Sequence, residues 1–125
     1  MRRQTETAMH MGVVRWARNM AGVYPCLKFL YHAANEGKVN PREAGKRQSL
    51  GVLAGVPDLF LPADNGEFHG LYLELKKRPN KPTPEQSEFM EFAASQGYAT
   101  AVCYSMDEAV AVIEGYLRGQ EQDSA

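Results

Sequence analysis

Three residues of the 125-residue chain have the types and spacing to do chemistry together: Asp58 in Gly55-Val56-Pro57-Asp58, and Glu74 and Lys76 in Glu74-Leu75-Lys76. Glu74 and Lys76 are two apart in an apolar, strand-like stretch, so both side chains leave one face. If the strand carrying Asp58 pairs with it, two carboxylates and one ammonium converge. Carboxylates that close repel unless a cation lies between them. A hard divalent ion, Mg²⁺ or Mn²⁺, takes carboxylate, carbonyl and water oxygens, and the main-chain carbonyl of Leu75 is a further donor. Such an ion acidifies a bound water and neutralises charge on a phosphate oxygen. Lys76 can orient or deprotonate that water. The competing reading is a solvated ion pair at a strand end, because Glu-x-Lys alone recurs by chance. Pro-Asp followed at a distance by Glu-x-Lys is the more specific pattern.

These residues need elements to hold them. Thr5 or Thr7 can cap a first helix running to about Met20, with Met9, Val13, Trp16 and Met20 on one face. Leu27 to Tyr31 reads as a short strand. Asn40-Pro41-Arg42-Glu43 is a helix start, and that helix stops near Gly51 with little apolar face. Pro57 to Leu61 and Gly70 to Lys76 read as strands joined through Asp64-Asn65-Gly66, an antiparallel hairpin. Leu71, Leu73 and Leu75 alternate with Tyr72, Glu74 and Lys76. Thr83-Pro84-Glu85-Gln86 is a capping box opening a helix that Gly97 ends. Ala99 to Tyr104 is a strand. Ser105 to Glu108 opens a last helix with Ala109, Val112, Ile113 and Tyr116 inward. Strand, helix, strand over 70–104 implies a crossover between parallel strands. The pattern predicts an α/β domain with a mixed β-sheet flanked by helices, spanning residues 1–118, and a polar tail over 119–125.

Composition sets the outer bounds. Hydrophobic residues at 44% and charged residues at 23% describe a globular domain. Cys26 and Cys103 form no metal-binding pattern and read as free thiols of a reducing compartment. The net charge is only −1, yet it is segregated: residues 1–47 carry nine basic and three acidic side chains, and residues 82–125 one basic and eight acidic. Arg42, Lys46 and Arg47 cluster on the second helix. Lys77, Arg78 and Lys81 follow the Glu74-Leu75-Lys76 strand, where phosphate contacts would be needed. Nothing resembles a base-reading helix.

In these motifs the chain resembles the PD-(D/E)xK nuclease superfamily, with its restriction-endonuclease-like core. More narrowly, it is similar to the VRR-NUC domain in its small stand-alone form of phages and bacteria. The matching residues are Glu6 and Trp16 on the first helix, Asn35-Glu36-Gly37-Lys38, Gly55-Val56-Pro57-Asp58, Glu74-Leu75-Lys76, Pro84-Glu85-Gln86 and Gly97-Tyr98-Ala99. The resemblance covers roughly residues 5–117.

It implies a Mg²⁺- or Mn²⁺-dependent DNA endonuclease in which water attacks a phosphodiester in line and leaves a 5′-phosphate. Asp58, Glu74 and the Leu75 carbonyl would hold the metal, with Glu6 as a further carboxylate. Lys76 would be the catalytic lysine and Gln86 an active-site residue. The resemblance further implies branched DNA such as Holliday junctions or flaps, a homodimer, a place in DNA repair, and the cytoplasm of a bacterium or phage-infected host. His10 stands where the family often has glutamine, and Asn35-Glu36 where it has Asn-Gly. Alternatives are a non-catalytic DNA-binding module of the same fold and a metal-dependent phosphoesterase on small substrates. Gln86 can equally serve only as the capping partner of Thr83, and Glu6 only as a first-turn acid. Trp16 reads as core because it lies on the apolar stripe, and His32 and His69 read as structural or surface residues.

Overall fold

The computed structural model describes residues 5–33 and 40–123, so Asn35-Glu36-Gly37-Lys38 lies outside the described residues. Helix α1 (Glu6–Asn19) starts at Thr5, whose hydroxyl accepts the Ala8 N–H at 2.9 Å. Its Met9, Val13 and Ala17 are buried. The stretch read as a strand from Leu27 is instead a 3₁₀ helix, Pro25–Phe29, and only Tyr31–His32 (β1) is extended. The local spacing explains the difference. Leu27 and Leu30 are buried while Lys28 and Phe29 are exposed, a period of three rather than two, and Pro25 opens the turn.

Helix α2 (Pro41–Ser49) is capped by Asn40 and buries no residue. Strands β2 (Leu59–Leu61), β3 (Leu71–Leu75) and β4 (Ala99–Cys103) complete a four-stranded sheet in the order β1-β2-β3-β4. β1–β2 and β2–β3 are antiparallel, and β3–β4 is parallel. The parallel pair is joined by α3 (Pro84–Ser95), which has the full capping box between Thr83 and Gln86. Helix α4 (Met106–Asp123) follows. Ser105 accepts the Glu108 N–H, but Glu108 reaches back to the Tyr104 N–H, one residue earlier than a capping box would place it.

The sheet has two faces. Leu59, Leu61, Leu71, Leu73, Leu75 and Cys103 pack on Met9, Val13 and Ala17 of α1 and on Ala109, Ile113, Tyr116 and Leu117 of α4. The other face carries Phe60, Tyr72 and Tyr98 in mutual ring contact, with Phe89 of α3 against Tyr72. The alternation of β3 thus sends its leucines to the main core and its polar residues to the opposite side. Cys103 is buried, and desolvation pushes its thiol up to about 11, so it is inert. Helix α4 also continues through Asp123, where a tail was expected from Gly119. A glycine inside a helix costs about 1 kcal/mol. The buried Tyr116 and Leu117 offset that cost by fixing the turn before it, and the Tyr116 carbonyl accepts the Asn65 side-chain amide at 3.1 Å. No helix among the described residues is long and apolar enough to cross a membrane.

Candidate active site

The β2–β3 ladder ends where the carboxylates begin. Leu59 pairs with Leu73, so Asp58 faces Glu74 one step further on. There the side chains take over from the backbone. Asp58 Oδ2 accepts the Leu75 N–H at 2.8 Å, and Glu74 Oε1 accepts the Asp58 N–H at 3.2 Å. The two carboxylates are locked across adjacent strands by a reciprocal pair of hydrogen bonds. Gly55, at φ 93°, brings this loop against α3: a Cβ there would lie 2.6 Å from the Glu85 carbonyl oxygen. Only glycine permits that approach, and it fixes the first turn of α3, which carries Gln86, beside Asp58.

Glu74 is the centre. It is 2% exposed, and its Oε2 accepts the Gln86 Nε2–H at 2.7 Å and lies 3.3 Å from Lys76 Nζ. Gln86 therefore does both things its sequence position allowed. Its Oε1 accepts the Thr83 N–H at 2.8 Å, closing the cap, while its amide holds Glu74. Burial, and after it the nearby Asp58 charge, raise the Glu74 carboxyl to about 7 against the opposing pull of Lys76. A carboxyl so placed readily gains from a cation brought to it.

On the α1 side the carboxylate of Asp58 opens into a cleft of about 300 Å³, also lined by Glu6, Thr7, His10, Met11 and His32. Glu6, expected near the site, is there. The Asp58 carbonyl accepts from Ala33 N–H and pairs with His32 Nδ1, both at 3.0 Å. The His10 ring meets His32 edge-on at 4.8 Å. Desolvation lowers the His10 pKa, His32 lowers it further, and Asp58 opposes both. His32 is the residue that sequence reading missed. It reaches Asp58 through the two-residue pairing of β1 with β2, for which no local signal existed. His69 stays outside, exposed beside Asp64.

The basic residues divide. Arg42 and Lys46 are exposed on α2, and Arg47 is half-buried. Lys77, half-buried, continues directly from the Lys76 strand end. Arg78 lies over the Tyr104 ring at 4.2 Å, and Lys81 is exposed before α3.

Among the described residues, no group of three or more histidine, cysteine, aspartate or glutamate side chains is arranged to hold a metal. A Mg²⁺ site does not require one. That ion keeps several waters and is commonly held by one or two carboxylates. The Asp58 and Glu74 carboxylates with the Leu75 carbonyl are all hard oxygens and fit such an ion.

A mixed sheet flanked by helices, with Pro-Asp and Glu-x-Lys meeting at the end of an antiparallel pair, defines the PD-(D/E)xK class of α/β domain. Within it the family is also shown. The VRR-NUC domain matches residues 39–107, more than half the chain. A solved structure described as a VRR_NUC domain protein superposes with a TM-score of 0.78 at 28% identity, covering 94% of this chain and 92% of that one. The chain belongs to the VRR-NUC domain family and is a nuclease-type, DNA-processing domain. No curated protein matches it.

Proposed function

We propose that this protein is a Mg²⁺- or Mn²⁺-dependent DNA endonuclease that selects branched DNA. The observation that carries the reading is the meeting of Asp58, Glu74, Lys76 and Gln86 at one strand end, beside an open cleft. Asp58, Glu74 and the Leu75 carbonyl hold the ion, with Glu6 across the cleft as a further carboxylate. When bound, the ion supplies Lewis acidity at the phosphate and compensates the charge of the two carboxylates. Lys76, with its side chain 12% exposed and 3.3 Å from Glu74, is held at the reacting end of the strand. Its ammonium is placed to orient the attacking water and to stabilise negative charge as it develops on the phosphate. Gln86 fixes the Glu74 carboxylate and keeps it turned toward Asp58. His32 fixes the main chain of Asp58.

Lys77, Arg78 and Lys81, together with Arg42, Lys46 and Arg47, contact the phosphate backbone, so recognition follows DNA structure over base sequence. A homodimer suits cutting of two strands related by a two-fold axis. The exposed Leu50, Leu53 and Phe92 offer apolar surface consistent with a second copy. A panel of single-stranded, duplex, flap and four-way-junction DNA with Mg²⁺ and Mn²⁺ tests this reading. Metal-dependent cutting with preference for a branched member is expected. Cutting of a small phosphodiester but of no DNA would replace DNA as the substrate. Light scattering on the same sample tests the dimer.

A further inference from the structure

The cleft beside Asp58 does not end at α1. Met11 lines both that cleft and a second groove of about 510 Å³, whose other walls are Ala8, Gly12, Arg15, Trp16, Asn19 and Met106. The two grooves lie on either side of Met11, which forms a wall of each. Gly12 lets α1 settle onto α4 here, since a Cβ would stand 2.8 Å from Met106 Sδ.

The two grooves differ in charge. The Asp58 groove has the carboxylates Glu6 and Asp58. The second groove is lined by no carboxylate and by one cation, Arg15. The nearby Glu108 carboxylate is already engaged with the Tyr104 N–H. Arg18, on the same helix, is tied to the Leu27 carbonyl at 3.0 Å, whereas Arg15 is exposed and has no hydrogen-bond or ion-pair partner among the described residues. The side chain of Asn19 is likewise unpaired among them. The Trp16 indole N–H has no partner there either, and among the described residues no buried side-chain nitrogen or oxygen is unsatisfied, so this N–H reaches solvent. Trp16 packs against the core with part of its ring and lines the groove with another.

A free guanidinium, an amide, an indole with its donor exposed and two methionines suit a chain of phosphates and unpaired bases. Cations take the phosphates, and aromatic and soft apolar surface takes the bases. From His10 to Asn19 the helix rises about 14 Å, which is about four nucleotides at the helical rise of one strand. We infer that this groove binds a single-stranded DNA segment continuous with the strand seated at Asp58. The proposal takes its ligand class from the nuclease reading, and it adds a site for an unpaired arm on α1.

The chain has one tryptophan, so its fluorescence reports on this groove alone. The probe is an oligothymidine of about twelve nucleotides, within the site sizes of single-strand binders, titrated without divalent metal. Saturable quenching of Trp16 emission is expected. Arg15→Glu should weaken the apparent affinity about tenfold and lower the salt dependence by about one phosphate contact. Asn19→Ala should weaken it less. Arg15 and Asn19 are exposed, and circular dichroism confirms that both variants fold. Oligothymidine that does not bind, binds without changing the emission, or binds Arg15→Glu as it binds the wild type overturns the proposal. Cleavage is read separately: quenching without cleavage leaves the groove standing and removes the nuclease reading, and cleavage without quenching does the reverse.

Discussion

Replacing Glu74 with glutamine isolates the electrostatic strain at the centre of the site. The Glu74 carboxyl is raised from 4.5 to about 7, chiefly by burial and then by Asp58. The folded protein therefore holds a proton that the unfolded chain releases across that interval. Below about pH 4.5 the group is neutral in both states and costs nothing. As pH rises toward 7 the unfolded chain ionises first, and stability falls. Above 7 the full cost is present, about 3 kcal/mol for this displacement. Glu74→Gln removes the titration. Urea unfolding of the metal-free protein at pH 5.5 and 8.5 should show the wild type losing on the order of 2–3 kcal/mol more than the variant over that range. His10, whose lowered pKa stabilises the protein as pH rises through the ordinary histidine range, is present in both and largely cancels in the difference. Adding Mg²⁺ at pH 8.5 should recover the loss in the wild type and not in Glu74→Gln. Parallel stability–pH profiles for the two proteins would show that Glu74 carries no such cost.

Four further outcomes follow from the geometry. Gly55→Ala forces a Cβ to 2.6 Å from the Glu85 carbonyl oxygen at a positive φ, so thermal unfolding should show a loss of more than about 2 kcal/mol; a change below about 0.5 kcal/mol would show that the loop and α3 are not so coupled. Gln86→Ala loses the capping partner and the Glu74 hydrogen bond together, costing roughly 1–2 kcal/mol in stability. Gln86→Glu should lower cleavage further than stability, because it sets a carboxylate 2.7 Å from Glu74. Lys77→Glu with Arg78→Glu should reduce the salt slope of DNA binding by about two contacts, and binding unchanged at low salt would remove this segment from the interface.

What the sequence made legible was local. Thr5, Asn40 and Thr83 announced three helix starts because a cap is satisfied within four residues. The alternation of Leu71, Leu73 and Leu75 announced β3, and the Asp64-Asn65-Gly66 turn signal announced its antiparallel partner, although the connection takes up all of residues 62–70. The juxtaposition of Asp58 with Glu74 could be inferred once that hairpin was granted, and the family motif brought Gln86 into it. Long-range features were silent. Nothing near His32 marks it as a neighbour of Asp58, since the two are 26 residues apart and joined by a two-residue strand. Leu27 to Tyr31 looked extended because a short apolar run does not distinguish period two from period three. Trp16 read as core from its stripe, and it is half core; the groove on its other side exists only once α4 has packed on Gly12.

In the proposed mechanism Asp58 and Glu74 hold a divalent ion for DNA cleavage. The most direct test is Asp58→Ala, assayed for four-way-junction cleavage in Mg²⁺ or Mn²⁺ alongside binding of the same DNA in chelator. The wild type should cut only with metal, and the variant should lose cleavage by at least about a thousandfold while binding the junction as tightly as the wild type or more so. A wild type that binds but never cuts with either metal, or a variant that still cuts at the wild-type rate, would contradict that mechanism.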